Sequence, residues 1–266
     1  PMGWIARSKL ASSVSNAGGL GVIETSSGEV EICKQEIKKM SDLTKYPFGV
    51  NLPILFLQDE SIVDFVAECG VKFVTTSAGS PAKYIEKLKE AGLTVYHAVP
   101  SLAGALKAAE AGVDGLVVEG TEGGGFKNPE EVGLFVLIQA IRRKIDLPII
   151  AAGGITDGQG MAAAFAVGAE GIQMGTRFVS SEESPVHDNW KNAILTGTES
   201  DTYVLNKKGS PCLRAIKTDY TKKIFDKGSM DMSVFGKVQD LYFGGDLNAA
   251  PALTGQSMDL IDEIKS

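Results

Sequence analysis

The stretch Leu147–Phe178, LPIIAAGGITDGQGMAAAFAVGAEGIQMGTRF, decides how this chain folds. Two short apolar runs, Pro148–Ala151 and Gly171–Met174, flank a segment of small residues from Gly158 to Val167. Runs without polar alternation are strands covered on both faces, and a helix crossing between them makes them parallel. The stretch is therefore a βαβ unit. Each strand ends in glycine, at Gly153-Gly154 and at Gly175. A helix N-terminus just past the carboxyl end of a parallel strand offers N–H groups and partial positive charge to an anion. Glycine lets that anion approach the backbone, and Thr176 adds a hydroxyl donor. Gly153, Gly154, Gly175 and Thr176 thus read as a phosphate cradle, or else as plain turns of an α/β domain. Two such sites on successive strands match barrels, which place phosphate pockets in the loops after their last two strands.

Outward from this unit the same grammar repeats. Helices are predicted over Ser8–Ala17, Val30–Met40, Ser61–Glu68, Pro81–Ala91 and Ser101–Ala111, and strands over Leu20–Glu24, Phe48–Leu52, Val71–Thr75, Leu93–Ala98 and Gly115–Val118. Helices stop at Gly70, Gly92 and Gly112, suited to left-handed caps, at the spacing of a βα repeat. A glycine-rich loop, Gly120–Gly125, and a helix, Pro129–Lys144, lead back to the opening stretch. Pro1-Met2-Gly3-Trp4 reads as the end of a further strand whose beginning is absent, with roughly 20 residues of chain expected before Pro1 on a barrel count. With it, eight parallel strands are expected: a TIM-type (β/α)8 barrel, with a doubly wound open sheet as runner-up. The repeat disappears after Ser180. Residues 180–247, with Pro185–Thr196 reading as helical, Asp201–Asn206 as extended and Thr221–Val238 as mixed, are expected to form a small helical cap and substrate region after the eighth strand. Residues 248–266 would close the barrel with a helix over Gly255–Ile264, leaving residues 1–179 as the cofactor-binding barrel.

Composition narrows the function. A chain of 266 residues with 44% hydrophobic content can build a large core, and a net charge of −7 with no basic run argues against a nucleic-acid surface. Cys33, Cys69 and Cys212 are far apart, with no CxxC, so neither a disulfide framework nor a metal site is expected. No apolar stretch has membrane-span length. A reduced cytoplasmic setting is the default expectation.

Several segments together resemble one family. Pro1-Met2-Gly3-Trp4, Ser15-Asn16-Ala17-Gly18-Gly19-Leu20-Gly21, Gly49-Val50-Asn51-Leu52, Thr75-Thr76-Ser77-Ala78-Gly79, Glu119-Gly120-Thr121-Glu122-Gly123-Gly124-Gly125, Ala152-Gly153-Gly154 and Met174-Gly175-Thr176-Arg177-Phe178 look like the nitronate monooxygenases, formerly 2-nitropropane dioxygenases. That family includes FMN-dependent enoyl-acyl-carrier-protein reductases. The resemblance implies a barrel holding FMN, its phosphate on Gly153, Gly154, Gly175 and Thr176, with Gln173 and Met174 on the phosphate side. It also implies ring contacts from Pro1, Met2, Gly3 and Asn51, with Glu119, Gly124 and Gly125 nearby. A carboxamide such as Asn51 can pair with both a ring N–H and a ring carbonyl.

One departure stands out. Where the family's glycine-rich loop ends in histidine, this chain has Phe126, which cannot accept a proton from a neutral nitroalkane. A nitronate, already an anion, needs no such base. Where some relatives carry lysine after the residue matching His97, this chain has Ala98. His97, at a strand end, and Glu122, in the loop, are the candidate catalytic groups, each with a structural alternative. Phe126 is substrate-proximal on this reading. His187 and Cys212 read as structural. Three functions stay open: alkyl nitronate oxidation by FMN and O2; NAD(P)H-dependent reduction of enoyl thioesters or quinones; and flavin binding without turnover. The expected partner is a small-molecule substrate, with no nucleic acid or membrane, and a homodimer is left open.

Overall fold

The computed structural model describes residues 2–266. The chain divides into two compact units, Pro1–Val117 with Lys144–Ile149, and Val118–Arg143 with Ile150–Ser266. Pro1, assigned above to a strand end and to the flavin ring, lies outside the described residues.

In the first unit helices and strands alternate: α1 (Ser8–Asn16), β1 (Gly21–Ile23), α2 (Val30–Leu43), β2 (Phe48–Pro53), α3 (Ser61–Glu68), β3 (Phe73–Ser77), α4 (Ile85–Glu90), β4 (Thr94–Val99), α5 (Leu102–Glu110) and the start of β5 (Gly115–Glu119). Strands β1 to β4 pair in parallel, aligning Asn51 with Thr75 and Thr76 with His97. Ile23, Val50, Leu52, Val74 and Val95 are buried along them, as continuous apolar runs require. Gly70, Gly92 and Gly112 all have positive φ with open space where a Cβ would stand, so their role is to end helices.

The second unit continues with β6 (Gly125–Phe126), α6 (Leu134–Arg142), β7 (Ile149–Ala152), α7 (Gly158–Ala166), β8 (Gly171–Gln173), α8 (Thr176–Val179), α9 (Asp188–Thr196), β9 (Thr202–Leu205), β10 (Leu213–Ile216), α10 (Asp219–Lys227) and α11 (Val238–Tyr242). The parallel sheet runs β1-β2-β3-β4-β5-β7-β8. The βαβ reading of the opening stretch holds: β7 and β8 pair in parallel through α7. Seven parallel strands, rather than the eight expected, are present among the described residues, and Gly3 and Trp4, read above as part of a strand end, lie in a turn.

Two expectations need correction. The region after β8 is not a helical cap: the extended stretch Asp201–Asn206 is β9, and with β10 and β6 it forms a three-stranded antiparallel sheet. Thr202-Tyr203-Val204-Leu205 supplies the β-branched and aromatic residues that pack on a pleated surface. The helix expected over Gly255–Ile264 is a single 3-10 segment, Gln256–Leu260. No described helix is long and apolar enough to cross a membrane.

Candidate functional site

In the second unit the glycine turns interlock. Gly153 and Gly154 follow β7 with φ of +97° and +73°, a region that favours residues without a Cβ. A Cβ on Gly153 would come within 3.0 Å of the Gly123 nitrogen, and one on Gly154 within 3.2 Å of the Glu122 Cβ. The Gly120 N–H donates to the Ala152 carbonyl at 3.0 Å. Gly124 is backed against the Thr254–Gly255 peptide, where a Cβ would meet backbone at 2.7 Å. The loop from Gly120 to Gly125 is thus clamped between the end of β7 and the chain's last segment, and its glycines are what allow the approach.

This arrangement leaves donors without internal work. Among the described residues, the N–H groups of Gly153, Gly154, Gly175 and Thr176 donate to no protein acceptor. The Thr176 hydroxyl accepts from the Gly255 N–H at 3.0 Å, which leaves its proton to donate elsewhere. Two residues past Gly154, the Thr156 hydroxyl is buried with no protein partner. Orphaned donors beside left-handed glycines at the carboxyl ends of two parallel strands fit a phosphate, and so fit the FMN phosphate. Gln173 and Met174 occupy the end of β8 that leads into this turn.

Glu119 ends β5, and its carboxylate pairs with the Lys127 ammonium. The lysine side chain is 2% exposed and the glutamate 31%. A Cβ on Gly123 would meet Lys127 Nζ at 2.9 Å and the Gly153 Cα at 3.5 Å, so the buried cation sits directly behind the glycine turn. Lys127 was not singled out from the sequence. The available signal was strand alternation: Phe126 points outward at 41% exposure, so its neighbour points in.

Glu122 spends both carboxylate oxygens on the Leu134 N–H, at 3.0 and 3.1 Å, which anchors the start of α6. Cys212 is buried, and burial pushes its thiol pKa up, away from nucleophile behaviour. The His187 Nδ1 accepts from the Asn189 N–H at 3.1 Å and caps α9.

In the first unit, the Met2 carbonyl accepts from the N–H groups of Ile5 and Ala6, and a Cβ on Gly3 would meet the Ser26 hydroxyl at 2.8 Å. The Asn51 amide is buried and donates to the Thr75 carbonyl at 3.1 Å and the Thr75 hydroxyl at 2.9 Å. His97 is 6% exposed, with Nδ1 2.8 Å from the Thr76 hydroxyl. Burial drives its pKa down to about 4, against a weaker opposite pull from a backbone hydrogen bond at Gly79. It is a neutral ring near pH 7.

A model of the nitronate monooxygenase family matches residues 1–61 and 56–234. The chain is 34% identical over 229 residues to a (3aS,4S,5R,7aS)-5-hydroxy-7a-methyl-1-oxo-octahydro-1H-indene-4-carboxyl-CoA dehydrogenase of Rhodococcus jostii, covering 86% of this chain and 64% of that protein. It therefore spans less than two thirds of that relative's length. It is 31% identical over 261 residues to a probable nitronate monooxygenase of Staphylococcus saprophyticus, covering 81% of this chain and 74% of the relative. Its fold matches the structure of FabK from Thermotoga maritima with a TM-score of 0.94 at 39% identity, over 99% of this chain and 86% of that one.

Proposed function

The chain belongs to the nitronate monooxygenase family, and we propose that it is an FMN-dependent oxidoreductase exchanging hydride with an acyl or enoyl thioester, NAD(P)H being the other redox partner. The observation that carries this reading is Phe126. A ring stands where a proton acceptor would serve a neutral nitroalkane, and β6 presents it on the same sheet face as Leu213 and Leu205. The exposed ring itself suits a hydrocarbon chain. The likeness to FabK and to an indene-carboxyl-CoA dehydrogenase supports the same choice.

FMN, when bound, supplies a ring nitrogen able to take or give hydride. The chain's own part is position and electrostatics. The N–H groups of Gly153, Gly154, Gly175 and Thr176 bind the phosphate, and the Thr176 hydroxyl donates to it. The Lys127 ammonium holds the Glu119 carboxylate at the end of β5 and brings positive charge behind the Gly123–Gly153 contact. Phe126, which is 41% exposed, excludes water from the apolar part of the substrate. Oxidation of an alkyl nitronate is the second reading, favoured by the fact that an anionic substrate needs no base at Phe126.

Anaerobic titration separates the two. NADPH should bleach the yellow protein, and an enoyl thioester should restore its colour. Bleaching by an alkyl nitronate but not by NADPH overturns the thioester reading in favour of the second. A colourless preparation that takes up no FMN overturns both.

A further inference from the structure

Arg214, on β10, carries a charge into the interior of the second unit, and the groups that receive its hydrogen bonds there are neutral. The residue is 5% exposed. Its Nε donates to the Thr121 carbonyl at 2.8 Å, one terminal nitrogen donates to the Thr202 hydroxyl at 2.8 Å, and the other donates to the Thr121 hydroxyl at 3.4 Å. The Glu131 carboxylate stands 3.8 Å from the guanidinium and pairs also with Lys207, which is half exposed. Burial pulls the Arg214 pKa below the usual arginine value, against the opposing pull of Glu131. A buried cation adds little net stability even beside a carboxylate, and less when its close acceptors are uncharged. What a guanidinium does supply is a planar, rigid fork of donors that fixes the geometry of whatever it grips.

Here it grips the glycine-rich loop. The Arg214 backbone lies opposite Gly125 across the β6–β10 pair, while its side chain holds Thr121. One residue thereby pins both ends of the segment Thr121–Gly125. Between those ends the loop meets both halves of the phosphate cradle. Gly123 stands against Gly153, where a Cβ would come within 3.0 Å of the Gly123 nitrogen. Gly124 is backed by the Thr254–Gly255 peptide, and the Glu122 carbonyl accepts from the Gln256 N–H at 2.9 Å. Gly255 in turn donates to the Thr176 hydroxyl at 3.0 Å. A shift of the loop therefore reaches the Gly153-Gly154 turn directly and reaches Thr176 through Gly255.

We propose that Arg214 is a positioning residue for the FMN phosphate: its fork, closed on Thr121, holds the glycine-rich loop where the N–H groups of Gly153, Gly154, Gly175 and Thr176 converge on one anion. Arg214 acts through the loop and not on the flavin itself. The fork rather than the charge is the requirement, because a lysine ammonium has no planar set of donors to span Thr121 and Thr202 together. This rests on the FMN reading of the cradle given above.

The test uses two flavins and two variants. FMN and riboflavin differ by the phosphate alone, so the ratio of their affinities for the apoprotein, read by fluorescence titration, isolates what the cradle contributes. In Arg214→Met and in Arg214→Lys this ratio should fall about tenfold, with the affinity for riboflavin unchanged. Arg214→Lys keeps the charge and an aliphatic stem, and it carries the test alone if Arg214→Met does not fold. A wild-type ratio in Arg214→Lys, whatever its Tm, would leave Arg214 as structural or charge support and overturn the proposal. An equal loss of both flavins would place the effect on the pocket as a whole and overturn it too. If the wild-type protein binds the two flavins alike, the cradle reading itself has failed and the proposal falls with it.

Discussion

The Lys127 ammonium is sealed against the Glu119 carboxylate, with the lysine shut off from solvent and the glutamate partly open to it. The two ends of this pair are therefore not equivalent. Glu119→Gln strands a buried cation, a change that costs about 3–5 kcal/mol when one partner of a buried pair is lost. Lys127→Met leaves a carboxylate that water still reaches, and should cost about 1–2 kcal/mol on the same scale, discounted for its exposure. Urea unfolding of the two variants measures the asymmetry. A greater loss for Lys127→Met would mean that the ammonium is better solvated than its burial indicates.

His97 predicts how stability changes with pH. Its folded pKa, about 4, is below the value of 6.5 for a free ring, so the unfolded chain binds more protons between these limits. Stability from this residue is fully present above about pH 6.5 and is lost as pH falls toward 4. A shift of this size corresponds to about 3 kcal/mol. Replacing the ring by His97→Gln should lower stability at pH 7 but flatten the dependence of Tm on pH between 6.5 and 4. An equally steep profile in the variant would assign the acid sensitivity to other groups.

Gly154→Ala tests the cradle. A side chain at φ +73° costs about 1–2 kcal/mol, and its Cβ would press on that of Glu122. If the turn's N–H groups bind a phosphate, shifting one of them removes a charged hydrogen bond worth about 1.5–3 kcal/mol, and FMN affinity should fall about tenfold or more. Fluorescence titration of the apoprotein with FMN reads this directly. Riboflavin, which has no phosphate, should bind the variant and the wild type alike, and an equal loss for both would place the phosphate elsewhere.

The parts of the fold that were legible in the sequence are those held by local rules. Apolar runs ending in glycine gave β7 and β8, and the stops at Gly70, Gly92 and Gly112 marked helix ends because a left-handed cap is a property of a single residue. Of the three-stranded sheet only β9 was legible, as the extended run Asp201–Asn206; its pairing was not, since Phe126 meets Leu213 across most of the second unit's length and nothing local in Gly125-Phe126 signals a partner. Lys127 escaped notice for a related reason. A two-residue strand is too short for alternation to register, so a lysine after a glycine-rich loop looks like solvated surface until the fold turns it inward against Glu119. Glu122 and His97 drew attention as polar residues near strand ends, yet each is satisfied internally, by the Leu134 N–H and the Thr76 hydroxyl.

Phe126→His asks whether chemistry is limited by the missing base. The position is 41% exposed on a short edge strand, so an imidazole there carries little desolvation cost and the change should be nearly neutral for stability. A positioned general base contributes about 10²–10⁴-fold. With nitroethane, a neutral acid, the variant should therefore gain at least about a hundredfold in kcat/KM, rising through the imidazole pKa near 6.5 as the ring becomes able to accept a proton. With ethyl nitronate, from which the proton is already gone, the variant should match the wild type. An equal gain on both substrates would mean that the ring acts by shape or charge rather than as a base. No gain on either would mean that Phe126 does not border the reacting atoms, and with that the assignment of this exposed ring to substrate would fall.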